Sequence, residues 1–127
     1  MRYAKKLAKR QKKPLRIMFQ DEARFGRINK PRRCWASKGV RPLVKSQIVR
    51  QYTYSYGAFS PKDGHCDFLI LPFMTTANMN IFLEELSNRH SQEFIFLICD
   101  KATNHSAGCL KIPKNTFIFH TPLTALN

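Results

Sequence analysis

The chain has 127 residues and carries 22 Lys and Arg against 8 Asp and Glu, a formal net charge of +14 at pH 7. This length fits a single domain with a sizeable core, and a hydrophobic fraction of 43% argues against a disordered chain. The charge favours nucleic acid as a partner over a membrane surface, because Lys and Arg neutralise phosphates and the basic residues do not follow one long amphipathic helix.

Residues 1–14 form a basic leader, in which Lys and Arg are interspersed with Tyr3, Leu7 and Ala8. Tyr3 and Leu7 are spaced to form a weak helical stripe. The segment is either an arm that contacts phosphates or a solvated leader. The basic residues that we assign to nucleic-acid binding, here and further along the chain, are Lys5, Lys6, Arg10, Lys12, Arg24, Arg27, Arg32 and Arg33.

The first strand is predicted at residues 15–19, a compact apolar segment with Asp21 at its carboxyl end. A loop that contains Gly26 is predicted to follow. A second, short strand is predicted at residues 34–36. Its Trp35 is the single tryptophan of the chain and is interpreted as a core residue, the commoner use of a large aromatic side chain.

A long hairpin is predicted at residues 48–71, because tyrosines alternate in its first half and residues 60–64 form a strong turn signal. A helix is predicted next, with capping residues at 75–78 and apolar residues at helical spacing over 79–86.

The most continuous apolar run, residues 94–99, predicts a strand buried on both faces. A short helix from Asn104 and a last strand at 116–119 complete the pattern. Antiparallel strands followed by alternating helices and strands predict an α/β fold, a mixed sheet flanked by helices.

Two acidic residues, Asp21 and Asp100, lie where apolar runs end. The sheet fixes the backbone of such a residue while its side chain faces a cleft. Two such carboxylates can share divalent metal ions that activate water for phosphodiester chemistry. The alternative is that Asp21 starts a turn and Asp100 caps a helix.

The cysteines and the hydropathy indicate a reducing compartment. No CxxC pair and no zinc-ligand spacing occurs among the four cysteines. No apolar stretch follows the basic N-terminus as it would in a signal peptide, and no run approaches transmembrane length. We therefore expect a cytoplasmic protein that is associated with the nucleoid when it is bound to DNA.

Five short stretches, in this order, resemble the catalytic domain of mariner-like transposases of the bacterial insertion-sequence branch, which belong to the DDE group with an RNase H-like fold. The resemblance covers roughly residues 15–127, and it depends on the order of the stretches because no single one is decisive. The stretches are DEARFG at 21–26, WASKGVRP at 35–42, GAFSP at 57–61, MN with FL at 79–83, and DKATNH at 100–105.

The resemblance implies that Asp21 and Asp100 are catalytic and bind Mg²⁺ or Mn²⁺. It also implies that Glu22 and His105 support the site without carrying its chemistry. An alternating strand would point Glu22 away from Asp21. DNA is the implied partner.

The sequence departs from the family in two ways. Residues 122–127 resemble a degraded copy of the stretch that precedes the third family acid, and the amino-terminal helix-turn-helix region of the family is not found. We therefore expect the leader at 1–14 to be followed by an incomplete RNase H-like catalytic domain at 15–127, truncated at the C-terminus. A separately encoded helix-turn-helix part, or a second transposase chain, would complete it.

The expected function is metal-dependent DNA strand cleavage and transfer in transposition, inactive in this chain alone because the third acid is missing. Two alternatives remain open at this point. One is an RNase H-like nuclease that uses Asp21, Glu22 and Asp100. The other is a small basic nucleic-acid-binding protein without a metal site.

Overall fold

The central element is a five-stranded sheet with the strand order β3-β2-β1-β4-β5. The computed structural model describes residues 2–26, 33–43, 50–100 and 109–121. The elements are α1 (Arg2–Arg10), β1 (Leu15–Gly26), β2 (Tyr52–Phe59), β3 (Cys66–Leu71), α2 (Thr76–Arg89), β4 (Phe94–Cys99) and β5 (Thr116–His120). Within these described residues, neither helix is long and apolar enough to cross a membrane.

The sheet is mixed, as the order of predicted elements indicated. Strand β2 pairs antiparallel with both β1 and β3, whereas β4 pairs parallel with both β1 and β5. Strand β1 is therefore the centre of the sheet, with an antiparallel neighbour on one side and a parallel neighbour on the other. The predicted hairpin, helix and last two strands are confirmed within a few residues of their expected bounds.

Helix α2 covers one face of the sheet. Thr75 caps the helix, because its hydroxyl oxygen accepts a hydrogen bond from the backbone N–H of Asn78 at 3.3 Å. The helix buries one stripe of apolar side chains against this face, which we call the α2 face. The core consists of Met79, Phe82, Leu83 and Leu86 of the helix together with Met18, Tyr56, Ala58, Ile95, Leu97 and Cys99 of the strands.

The opposite face, which we call the open face, is covered in part by α1. Phe117 pairs in register with Phe96, and the two rings stack with centroids 5.3 Å apart. Tyr3 of α1 meets Phe117 edge to face, with ring centroids 5.5 Å apart, and Ala4 and Ala8 of the same helix are buried. Elsewhere the open face exposes six large apolar side chains, Phe19, Phe25, Phe59, Phe68, Ile70 and Phe119.

Two local predictions are wrong. The predicted loop at Gly26 is instead the end of β1, because the whole segment from Asp21 onward pairs antiparallel with β2. No strand forms within the described residues 33–43, and Trp35 is 104% exposed instead of buried. An apolar run of three residues is too short to hold a strand without partners. The short helix expected from Asn104 lies outside the described residues.

Candidate active site

The parallel ladder between β1 and β4 places Asp21 beside Asp100. Its last register partners are Gln20 and Cys99, which are both buried on the α2 face. Because side chains alternate along a strand, the preceding pair, Phe19 and Ile98, lies on the open face. Asp21, two residues after Phe19, lies on the same face. Asp100 is the first residue after β4.

Asp21 and Asp100 line one groove of about 270 Å³. Both carboxylates are exposed. The other lining residues are Phe19, Gln20, Ile98, Cys99 and Thr121. Both acids thus face one cleft, as expected from their positions after apolar runs, although Asp21 lies inside β1 and not at its end. The interpretation of Asp21 as the start of a turn is wrong for the same reason.

Backbone and hydroxyl groups orient the two carboxylates. Asp21 Oδ1 accepts a hydrogen bond from the backbone N–H of Glu22 at 2.8 Å. Thr121, after β5, donates its hydroxyl to the carbonyl of Cys99 at 3.3 Å and lies 3.5 Å from Asp100 Oδ1. Within the described part of the chain no Lys, Arg or His forms an ion pair with Asp21. Its negative charge therefore remains available to a cation.

Glu22 lies on the opposite face of the sheet from Asp21. Its register partner is Tyr56, which is fully buried against α2. Burial raises the pKa of the Cys99 thiol to about 12, and the nearby charge of Glu22 adds to this effect. The pairing with Tyr56 places the Glu22 side chain on the α2 side, so the structure does not bring it to the groove.

The remaining acids also lie away from the groove. All eight acidic residues of the sequence fall in described segments. Glu84 and Glu85 belong to α2, and Glu85 pairs with Arg89 at 2.9 Å. The other three acids, Asp63, Asp67 and Glu93, belong to a separate cluster on the α2 face. This chain therefore contributes two carboxylates to the groove, Asp21 and Asp100.

The assigned basic residues fall into separate groups. Lys5, Lys6 and Arg10 are exposed on α1, and Lys12 follows the helix with a positive φ of 53°. Arg24 lies near the far end of β1, where its guanidinium stacks over the ring of Tyr52 at 4.8 Å. Arg33 is exposed in the segment between β1 and β2. The assigned residues Arg27, Arg32 and His105 lie outside the described residues.

A second polar cluster, which the sequence analysis missed, surrounds the buried side chain of Asp67 on β3. One oxygen of this carboxylate, Oδ2, lies 2.6 Å from His90 Nε2 and 3.1 Å from His65 Nε2. The other oxygen, Oδ1, accepts a hydrogen bond from Arg89 at 3.2 Å. Burial acts to raise the pKa of Asp67, but the hydrogen bonds from His90 and Arg89 outweigh it and hold the pKa below its ordinary value.

The cluster continues through Glu93 to Arg16 on β1. Glu93 Oε2 lies 2.8 Å from His90 Nδ1 and 2.6 Å from Arg16 Nε. The guanidinium of Arg16 also binds Asp63 at 2.9 Å. The hydrogen bond from Arg16 lowers the pKa of Glu93. The sequence does show the two-residue spacing of His65, just before β3, from Asp67 and the three-residue spacing of His90 from Glu93. Nothing local indicated that these two pairs meet.

The mixed sheet with α2 on one face is an RNase H-like α/β arrangement. It resembles the catalytic domain in two crystal structures of Mos1 transposase. The Mos1 strand transfer complex is 18% identical, with 81% of this chain and 33% of that chain covered and a TM-score of 0.51. The mariner Mos1 paired end complex with Mg is 16% identical, with 80% and 34% covered and a TM-score of 0.50. This chain thus spans about a third of the Mos1 chains.

The sequence profile of the DDE superfamily endonucleases matches residues 16–112. The chain therefore belongs to this family. None of the curated proteins is similar enough in sequence to match it.

Proposed function

We propose that this domain contributes Asp21 and Asp100 to a transposase-type site for metal-dependent DNA cleavage and strand transfer. The observation that carries the proposal is the convergence of these two carboxylates in one groove, at the point where β4 ends beside β1. Membership of the DDE superfamily endonucleases supports the reaction class. The five matching stretches support the finer assignment to the bacterial insertion-sequence branch.

The residues in the groove fit a hard divalent cation. The carboxylates of Asp21 and Asp100 supply oxygen ligands, which Mg²⁺ and Mn²⁺ prefer. Cys99 also lines the groove, but its thiol stays protonated at neutral pH because burial raises its pKa to about 12. A bound ion of this kind would stabilise the charge that develops on phosphodiester oxygens and would lower the pKa of an attacking water.

The sheet fixes the backbone of both acidic residues. Asp21 lies in the central strand and is paired with Gly57 of β2 on one side. Asp100 directly follows β4, which is bonded on both edges. Such rigid placement matters because a misplacement of about 1 Å can cost roughly 10²-fold in rate. The open groove leaves both carboxylates accessible to a DNA strand.

We further propose that this chain does not carry out strand transfer alone. Only two of its eight acidic side chains face the groove. In-line transfer with two metal ions needs further ligands. A third carboxylate would come from a second transposase chain or from another part of the full assembly. A separately encoded helix-turn-helix part is the proposed reader of the element ends, and DNA is the proposed substrate.

The test is Mn²⁺ binding, measured by electron paramagnetic resonance on the purified chain. We expect Asp21→Asn and Asp100→Asn each to weaken binding strongly, because each removes a charged ligand. Glu84→Gln is the matched control, since it removes an exposed acid of α2. Equal Mn²⁺ binding by wild type and Asp100→Asn would overturn the proposed site and favour a basic nucleic-acid-binding protein.

A plasmid-nicking assay tests the second part of the proposal. Supercoiled DNA is incubated with the chain and Mg²⁺ or Mn²⁺, and we expect no cleavage above background. Nicking that disappears in Asp21→Asn would show that the two carboxylates suffice, and the proposed incompleteness would then be wrong.

A further inference from the structure

We propose that His65, Asp67 and His90 form a second metal site, suited to Zn²⁺, which is separate from the groove of Asp21 and Asp100. The three residues come from the turn after β2, from β3 and from the end of α2. A zinc ion there would fasten the hairpin to the helix on the α2 face. The groove of the proposed function lies on the open face.

The three ligand atoms already converge. The Nε2 atoms of His65 and His90 lie 3.1 and 2.6 Å from the same oxygen of Asp67, and all three atoms lie within 4.8 Å of one another. Tetrahedral Zn²⁺ with ligands at about 2.0–2.2 Å separates neighbouring ligand atoms by roughly 3.3–3.6 Å. The two distances to Asp67 therefore need to widen by about 1 Å or less. The two histidine nitrogens, which lie within 4.8 Å of each other, need to approach by no more than about 1.5 Å.

The outer partners of a metal-binding histidine are also present. Metal-bound histidines usually donate their second ring N–H to a carboxylate, which fixes the ring and its tautomer. His90 has such a partner, because its Nδ1 lies 2.8 Å from Glu93 Oε2. Arg16 holds Glu93 in turn at 2.6 Å. This arrangement directs the other nitrogen, Nε2, toward the shared position.

Asp67 and His65 are positioned just as specifically. The second oxygen of Asp67 is occupied by Arg89 at 3.2 Å, so Oδ2 is left for the shared position. The backbone N–H of His65 donates to Asp63 at 3.2 Å, which orients the turn, and Gly64 adopts a φ of +71° there. Such a turn favours glycine.

The ligand types and the exposure decide which ion fits. Two imidazoles and one carboxylate suit Zn²⁺, whereas Mg²⁺ prefers oxygen ligands alone. The side chain of His65 is 48% exposed, whereas those of Asp67 and His90 are almost fully buried. The exposed histidine gives the ion a path from solvent and leaves room for a water ligand. The sequence alone gave no zinc motif, because its cysteines lack the spacing and the histidines are remote from each other.

The experiment is a Zn²⁺ titration by isothermal calorimetry on the full chain. The parent protein carries Cys34→Ser, Cys66→Ser and Cys109→Ser, because exposed free thiols are themselves able to bind zinc. We expect one site per chain. Loss of a residue that hydrogen-bonds to a metal ligand costs about 10–100-fold in affinity. His65 is proposed as a ligand itself, so His65→Gln should weaken zinc binding by more than about 100-fold. His120→Gln, which removes an exposed histidine of β5, should leave it unchanged.

His65→Gln is the decisive variant because His65 lies on an exposed turn, and its fold is checked by circular dichroism. Zn²⁺ should raise the melting temperature of the parent and not that of His65→Gln. Absence of zinc binding in the parent, or equal binding by His65→Gln, would overturn the proposal. Asp100→Asn should leave zinc binding intact, so this test is independent of the proposed DNA chemistry. Zinc binding lost in Asp100→Asn would place the ion in the groove and overturn the second site.

Discussion

Gln20 of β1 and Cys99 of β4 are the last partners of their parallel ladder, and an aspartate follows each of them directly. Both partners are buried under α2. The pairing register therefore brings Asp21 and Asp100 to one groove without any contribution from loop structure. A shift of β4 by one residue would separate the acids and turn its buried face toward solvent, so the core and the site depend on the same register.

Mn²⁺ should stabilise the folded chain through the groove. A ligand at 100 times its dissociation constant stabilises by about 2.7 kcal/mol when it binds only the folded state. We expect this stabilisation in wild type and in Glu22→Gln, but not in Asp21→Asn. The measurement is urea unfolding with and without the ion. Loss of the effect in Glu22→Gln would instead favour the nuclease that uses Glu22.

Binding to duplex DNA should depend steeply on salt and little on sequence, because a net charge of +14 acts mainly on phosphates. The double variant Lys5→Ala, Lys6→Ala should lower the slope of log K against log salt by about 2 if both α1 lysines contact phosphates. The matched control, Lys62→Ala with Lys111→Ala, removes the same charge elsewhere. Fluorescence anisotropy measures both. Equal slopes in the two variants would show that α1 has no special part.

Stability should fall in acid because of the cluster around Asp67. The pKa values of Asp67 and Glu93 are lowered in the folded state, so the folded protein keeps these carboxylates charged to a lower pH than the unfolded chain does. The stabilisation is complete above the unfolded pKa of about 4 and is lost as pH falls through the depressed folded values.

Urea unfolding between pH 7 and pH 3 measures this dependence. We expect a shallower pH profile for Asp67→Asn than for wild type, together with lower stability at pH 7. Glu84→Gln removes an exposed carboxylate outside the cluster and should follow wild type. Identical profiles for wild type and Asp67→Asn would contradict the role of the cluster.

Two substitutions on α2 should separate core packing from helix propensity. Leu83 is fully buried, so Leu83→Ala should lower the free energy of unfolding by about 2–5 kcal/mol. Ile81 on the same helix is 49% exposed, and Ile81→Ala should change it by about 0.5 kcal/mol. Denaturant unfolding measures both. Similar costs would mean that α2 is not packed on the sheet as described.

Gln20 offers a stabilising change. Its side-chain nitrogen is buried and has no hydrogen-bond partner among the described residues. An unsatisfied buried polar group costs about 1–3 kcal/mol, so Gln20→Met should raise the free energy of unfolding by roughly 1 kcal/mol. Thr53→Ser, an exposed substitution on β2, serves as the control. A lower stability of Gln20→Met would indicate that the amide has a partner after all.

Sequence patterns predicted the elements whose burial is regular. Residues 94–99 and the helix capped by Thr75 were found because their apolar residues follow the strand and helix repeats closely. The second half of β1 was missed, since Glu22, Ala23 and Arg24 carry no such repeat and are held there by pairing with β2. The size of Trp35 favours a core position, but the described residues around it form no strand that would bury the side chain, which is 104% exposed.

The two candidate sites also differ in how far they can be predicted from the sequence. Asp21 and Asp100 could be found in the sequence because each lies close after an apolar run. The cluster around Asp67 could not, because it joins side chains from distant parts of the chain. Only the tertiary arrangement of the hairpin against the end of α2 brings them together.

The open face has a consequence for handling the protein. Six large apolar side chains there are between 45% and 62% exposed, and mutual repulsion of molecules with a charge of +14 opposes their contact. Salt shortens the Debye length from about 10 Å at 0.1 M to about 3 Å at 1 M. The ionic strength that dissociates DNA from the protein during purification thus also screens the repulsion between protein molecules. We expect the molecules to associate through the exposed apolar side chains of the open face under these conditions.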